Sequence, residues 1–171
     1  MKGAQILTIV YDRGFNLNEW FVIILSITGL ILAWRFRNRF SAKELIVYFM
    51  YGFFIGTVFD HIIGIAPFDF YDINDSSLYE LTDFLTYLMY GPYGYFYVYF
   101  YDLFKIKSSH APIYILLWAL ISMMIEFIGY NLGVFHYKNG YEIYYSFPIY
   151  LLVLVPNLCL YKLFHLNKIG S

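Results

Sequence analysis

Glu44–Ile65 reads ELIVYFMYGFFIGTVFDHIIGI. From Leu45 to Phe59 it carries no charged side chain, and it is long enough for a membrane helix, which needs roughly 20 mainly apolar residues. Asp60 interrupts the run near its end, with His61 beside it. A carboxylate at that depth is costly in hydrocarbon and needs a partner, a cavity or a function. Gly52, Gly56, Asp60 and Gly64 recur at four-residue spacing, so the small residues and the acid share one helix face. Glycines on such a face let a neighbouring backbone come close.

The whole chain has the same character. Of its 171 residues 61% are hydrophobic, 24% aromatic and only 13% charged, against about 25% charged in a soluble domain. The mean hydropathy of +0.59 agrees. A net charge of -1 gives no basis for a nucleic-acid partner. The single cysteine, Cys159, permits no internal disulfide. At the N-terminus, MKGAQILTIVYDRG has too short an apolar stretch for a secretory signal peptide and reads as a retained interfacial lead-in.

Five segments meet the length test for a span: residues 18–36, 44–65, 78–104, 112–135 and 144–164. The expected fold is all-α, one polytopic membrane bundle of five transmembrane helices over residues 1–171. Arg35, Arg37, Arg39 and Lys43 join the first two segments, Lys105 and Lys107 join the third and fourth, and Lys162 and Lys168 follow the fifth. The positive-inside rule then places the N-terminus outside and the C-terminus inside. Trp20 and Trp34 near the ends of the first segment fit an interfacial belt.

In the third segment, Ser77 and Glu80 have capping-box spacing, and Gly91-Pro92-Tyr93-Gly94 predicts a kink. Tyr95, Tyr97, Tyr99 and Tyr101 alternate as in a strand, but an isolated strand cannot satisfy its backbone in lipid, so the helical reading prevails. Asp102 has the spacing to pair with Lys105.

The candidate site follows from the acids. Asp60, Asp83 and Glu126, with His61 and His136, all fall toward the expected outer side of three spans. Ser122, Glu126, Gly129 and Gly133 repeat the small-residue stripe on the fourth span, with Asn131 about 100° around from it. Gly52, Gly56, Gly64, Gly129 and Gly133 read as helix-packing positions. Asp60, His61, Asp83, Glu126, Asn131 and His136 are the binding or proton-handling candidates. Asp69, Asp72 and Asp75 in the loop between the second and third spans lack the glycine and distal glutamate of an EF-hand.

Three uses are open. The acids can hydrogen-bond tyrosines such as Tyr87, Tyr90 or Tyr130 in an accessory, assembly or ligand-binding protein. They can carry protons or cations in an oligomeric transporter, a homodimer or other membrane partner supplying further helices. They can also ligate a metal in a membrane-embedded hydrolase, although no HExxH, CxxC or paired-histidine spacing is present. The cofactor is left unknown, and the lipid bilayer is the one certain partner.

From Met123 to Pro148 the chain carries Glu126 in mid-span, the pair Tyr130-Asn131, and Tyr145-Ser146-Phe147-Pro148 before the last span. In this segment, and in its size and aromatic-rich spans, it resembles small uncharacterised multi-span membrane proteins of spore-forming Gram-positive bacteria. The resemblance implies a bacterial cytoplasmic membrane and gives no residue a role.

Overall fold

The computed structural model describes residues 8–169, with side chains described through His165. The first residues of the lead-in and the side chain of Lys168 lie outside the described residues. Five helices form: α1 (Leu17–Arg35), α2 (Ala42–Gly64), α3 (Leu81–Leu103), α4 (Ala111–Asn131) and α5 (Ser146–Ile169). Two short strands, β1 (Tyr71–Ile73) and β2 (Phe135–Tyr137), pair antiparallel with Tyr71 opposite Tyr137 and Asp72 opposite His136.

Local chemistry sets the helix ends. Asn16 caps α1, and its amide donates to Glu19 Oε2 at 2.7 Å. Ser41 caps α2 in a reciprocal box with Glu44, its amide donating to Glu44 Oε2 at 2.9 Å. The box at α3 lies three residues later than the expected one. The Glu80 amide donates to Asp83 Oδ2 at 2.8 Å, while Ser77 Oγ accepts the Ile9 amide at 2.9 Å. At the end of α4, the Gly133 amide donates to Tyr130 O and the Val134 amide to Gly129 O. That is a Schellman turn, which needs a left-handed residue, and Gly133 has φ +84°. Gly133 therefore terminates the helix. It is not a packing glycine, since no atom lies within 4 Å of where its Cβ would stand.

The expectation of five transmembrane helices is corrected to four candidates. Leu17–Arg35, Ala42–Gly64, Ser108–Asn131 and Ile143–His165 are long and apolar enough to cross a membrane. The segment expected at 78–104 is not. Its helix, α3, has 23 residues, but they include Thr82, Asp83, Thr86 and a run of tyrosines from Tyr87 to Tyr101. A tyrosine ring packs like phenylalanine, yet its hydroxyl still requires a partner, and α3 carries too many such groups for its composition to qualify. The N-outside, C-inside assignment, read from the basic residues over five crossings, is not retained with four candidate spans.

The helix that fails the test is the centre of the bundle. Both α1 and α2 pack chiefly on α3, and α5 also touches it. Gly91, Pro92, Gly94, Tyr95, Tyr97 and Val98 are buried along it, and the helix continues through Pro92. The outer faces of the other helices expose Ile24, Ile27, Phe54, Val58, Leu117 and Met124. An apolar exterior around a polar interior inverts the soluble pattern. The chain is a polytopic helical membrane protein with polar residues buried inside its bundle.

The two ends of the bundle are tied differently. At the basic end, Arg39 Nε lies 2.6 Å from Asp102 Oδ2, and the Tyr161 hydroxyl donates to Asp102 Oδ1 at 2.5 Å. Arg39 thus takes the place expected for Lys105. At the acidic end, Lys138 Nζ bridges Asp69 (2.7 Å) and Asp72 (2.8 Å), the Tyr11 hydroxyl donates to Asp72 Oδ2, and Asn18 donates to Asp75 Oδ1. These contacts clamp the lead-in and the two-stranded ribbon over one end of the helices.

Candidate functional site: a two-carboxylate cavity

The α2–α3 crossing positions the first carboxylate. Gly52 and Gly56 on α2 face Gly94 and the Tyr90 ring on α3 closely enough that neither accepts a Cβ without a shift. This approach brings the Tyr90 hydroxyl to Asp60 Oδ2 at 2.7 Å. From the ribbon, the Tyr71 hydroxyl donates to Asp60 Oδ1 at 2.6 Å. Gly64 is part of the same fit, because a Cβ there would stand 3.1 Å from Tyr71 O.

Glu126 is the second carboxylate, and three hydroxyls converge on it. Tyr137 from β2 and Ser146 from the start of α5 each donate to Oε1 at 2.6 Å, and Tyr150 donates to Oε2 at 2.8 Å. The Schellman turn makes the first of these possible by folding the chain back so that β2 returns along α4. Gly129 leaves room there for the Phe135 ring.

Asp60 and Glu126 line one cavity of about 90 Å³ between α2, α3 and α5. Its other walls include Tyr51, Tyr90, Tyr93, Tyr141, Tyr150 and Asn157, and no lysine, arginine or histidine is among them. Asn157 donates its amide to Gly94 O at 3.0 Å, but its carbonyl oxygen is buried with no donor among the described residues. The phenols at the acidic end are held as donors. Burial, with the Asp60 carboxylate adjacent, pushes Tyr71 well above the usual phenol range. Burial and the nearby Glu126 raise Tyr137 likewise, and burial lifts Tyr141 to about 12.

Two further cavities adjoin this one. Asp60 and Tyr71 also line a recess of about 140 Å³ at the acidic end, shared with His61, Asp72 and Asp83. Glu126, Tyr90, Tyr93 and Tyr150 also line an apolar cleft of about 200 Å³ between α1, α3 and α4.

No family model, curated protein or solved structure matches this chain. The geometry alone must carry the functional reading.

Of the other candidates named from sequence, His61 and Asp83 share the acidic-end recess with Asp60, while Asn131 and His136 lie apart from it. Asp83 is bonded to Asn74 Nδ2 at 2.7 Å and caps α3. His61 Nδ1 lies 2.9 Å from Thr57 O. Asn131 is exposed and donates back to Phe127 O. His136 stacks on Tyr11 with ring centroids 3.8 Å apart, and burial holds its pKa below the ordinary value. Among the described residues no group of three or more His, Cys, Asp or Glu side chains is placed to hold a metal. The hydrolase reading therefore has no donor set here. Tyr90 was nameable from sequence, whereas Tyr71, Tyr137, Ser146, Tyr150 and Asn157 were not. The only sequence signal for the three tyrosines is the density of that residue, and Ser146 and Asn157 carry none.

Proposed function

We propose that the protein is a small ligand-binding or accessory component of the bacterial cytoplasmic membrane, and that its carboxylate–tyrosine cavity takes a small ammonium cation. The observation that carries this reading is one buried and one half-buried carboxylate, Glu126 and Asp60, lining one cavity whose walls hold no basic side chain. Hydroxyl donors offset part of the cost of burying such charges, but a full counter-charge offsets much more. Tyrosine faces around the space favour an organic cation, each contributing about 0.5–2 kcal/mol. The unpartnered Asn157 oxygen offers an N–H donor a further acceptor.

The volume of about 90 Å³ suits a methyl-substituted ammonium ion or a few waters. As an accessory component, the protein would meet a second copy or another membrane protein through its apolar outer faces.

The test is equilibrium binding of methylammonium and tetramethylammonium to the full chain in phosphatidylcholine nanodiscs. Saturable binding that falls at least tenfold in Asp60→Asn and in Glu126→Gln supports the reading. Absence of binding, or binding indifferent to both changes, overturns it. One observation favours a second reading: the carboxylates stand where the central cavity adjoins its two neighbours, as members of a proton relay would. That reading predicts dissipation of a pH gradient in proteoliposomes, lost in the same variants, with no ammonium binding.

A further inference from the structure

At the basic end, α1 and α2 diverge because each packs on α3, and the wedge between them forms a groove of about 770 Å³. Leu30 and Trp34 line it from α1, and Ile46 and Phe49 from α2. Its polar walls are Arg37 and Asn38, in the turn that closes one end. The α1 wall runs five residues, 30–34, about 7 Å, and the α2 wall eight, 42–49, about 12 Å. Trp34 is 70% exposed and Ile46 57% exposed, so the groove is open along its apolar length.

Arg37 is the cation delivered to this groove. Arg39, two residues on, is committed to Asp102. Arg37 makes no ion pair among the described residues. Its guanidinium lies 4.0 Å from the centre of the Trp34 ring, and Nη1 donates to Trp34 O at 3.0 Å. These contacts fix the group while leaving other N–H donors unused. A fixed, planar fork of donors matches a phosphate oxygen pair better than a mobile lysine does. The acid nearest in sequence, Glu44, is buried and bonded to Ser41, and is not part of the groove wall.

We infer that this groove holds one anionic phospholipid, its phosphate on Arg37 and Asn38 and the upper part of an acyl chain between α1 and α2. One cationic end on an otherwise apolar channel is the complement of an anionic amphiphile. A zwitterionic lipid brings its own ammonium to the same place and gains less. This site is independent of the carboxylate cavity, which lies toward the other end of the bundle.

The experiment is native mass spectrometry of the full chain released from membranes of equal phosphatidylglycerol and phosphatidylcholine with matched acyl chains. The expected result is one tightly retained lipid, with phosphatidylglycerol favoured at least fivefold. Arg37→Gln removes the preference, Ile46→Trp reduces retention of both lipids by filling the channel, and Arg35→Gln changes neither. Circular dichroism checks that each variant is folded. Glycerol phosphate, which has the headgroup chemistry without the chain, does not displace the bound lipid. Equal retention of the two lipids, an Arg35→Gln effect as large as that of Arg37→Gln, or displacement by glycerol phosphate each overturns the assignment.

Discussion

Gly52 and Gly94 meet backbone to backbone where α2 crosses α3. A Cβ placed on Gly94 would stand 2.7 Å from the Gly52 Cα. The crossing sets the distance between Asp60 and Tyr90, since both lie on the faces that these glycines bring together. Gly52→Ala forces the helices apart at a cost of roughly 1–3 kcal/mol, typical of overpacking. The expected result is a lower unfolding midpoint in mixed detergent and weaker ammonium binding. Gly64→Ala, whose Cβ comes no nearer than 3.1 Å to Tyr71 O, should be milder. Equal midpoints for Gly52→Ala and the parent chain would refute the crossing as the source of the fit.

Glu126 ties β2 and α5 to α4 through Tyr137, Ser146 and Tyr150. Removing it leaves one buried and two half-buried hydroxyls without their acceptor, at about 1–3 kcal/mol for each one left buried and unsatisfied. Glu126→Ala should therefore be much less stable than Glu126→Gln, whose amide oxygen still accepts. The comparison is made by chemical unfolding of the two variants side by side. A difference below about 1 kcal/mol means that the hydroxyls find other partners.

What could be read in the sequence divides along a physical line. Helix existence, and the faces that carry Gly52, Gly56 and Asp60 on one helix and Ser122 and Glu126 on another, follow from periodicity, which is local; that the two acids line one cavity does not. The partners of those acids do not. Tyr71 reaches Asp60 from a ribbon whose pairing with β2 joins residues far apart in sequence, and Tyr150 reaches Glu126 from another helix. The misreading of α3 has a simpler origin. Counting tyrosine with the apolar residues makes Leu81–Leu103 look like a span, while the hydroxyls make it more polar than the four candidate spans. Gly133 misled in a similar way, because four-residue spacing continues past the last helical residue and does not reveal a left-handed turn.

His136 links the acidic end to pH. Burial lowers its folded-state pKa below the ordinary value near 6.5, although Asp72 and Asp75 favour the charged form. Between the folded and unfolded values the unfolded state binds more protons, so stability rises with pH in that window. The contribution of the Tyr11–His136 stack is present above about pH 6.5 and is lost as the pH falls through the lower folded value. Hydrogen exchange at the Tyr11 amide, which donates to Asp75 O at 2.7 Å, should report it. After correction for intrinsic chemistry, exchange is expected to rise severalfold from pH 7.5 to 5.5 in the parent and to stay flat in His136→Gln. A flat profile in the parent would place the protonation elsewhere.

The tyrosines of α3 make a direct prediction about membrane insertion. Single segments can be scored in a glycosylation-reporter assay, where each polar group at mid-segment penalises insertion. Ala42–Gly64 and Ser108–Asn131, which qualify by length and composition, should insert when tested alone. Leu81–Leu103 should not, because α3 alone has no Asp60 for Tyr90 and no Phe36 carbonyl for Tyr95. Replacing Tyr95, Tyr97, Tyr99 and Tyr101 by phenylalanine keeps the rings and removes the hydroxyls. That variant should insert efficiently as an isolated segment. In the full chain it should be destabilised, because the Tyr95 bond to Phe36 O joins α3 to the α1–α2 turn. Efficient insertion of the unaltered segment alone would show that tyrosine hydroxyls do not govern how this helix behaves.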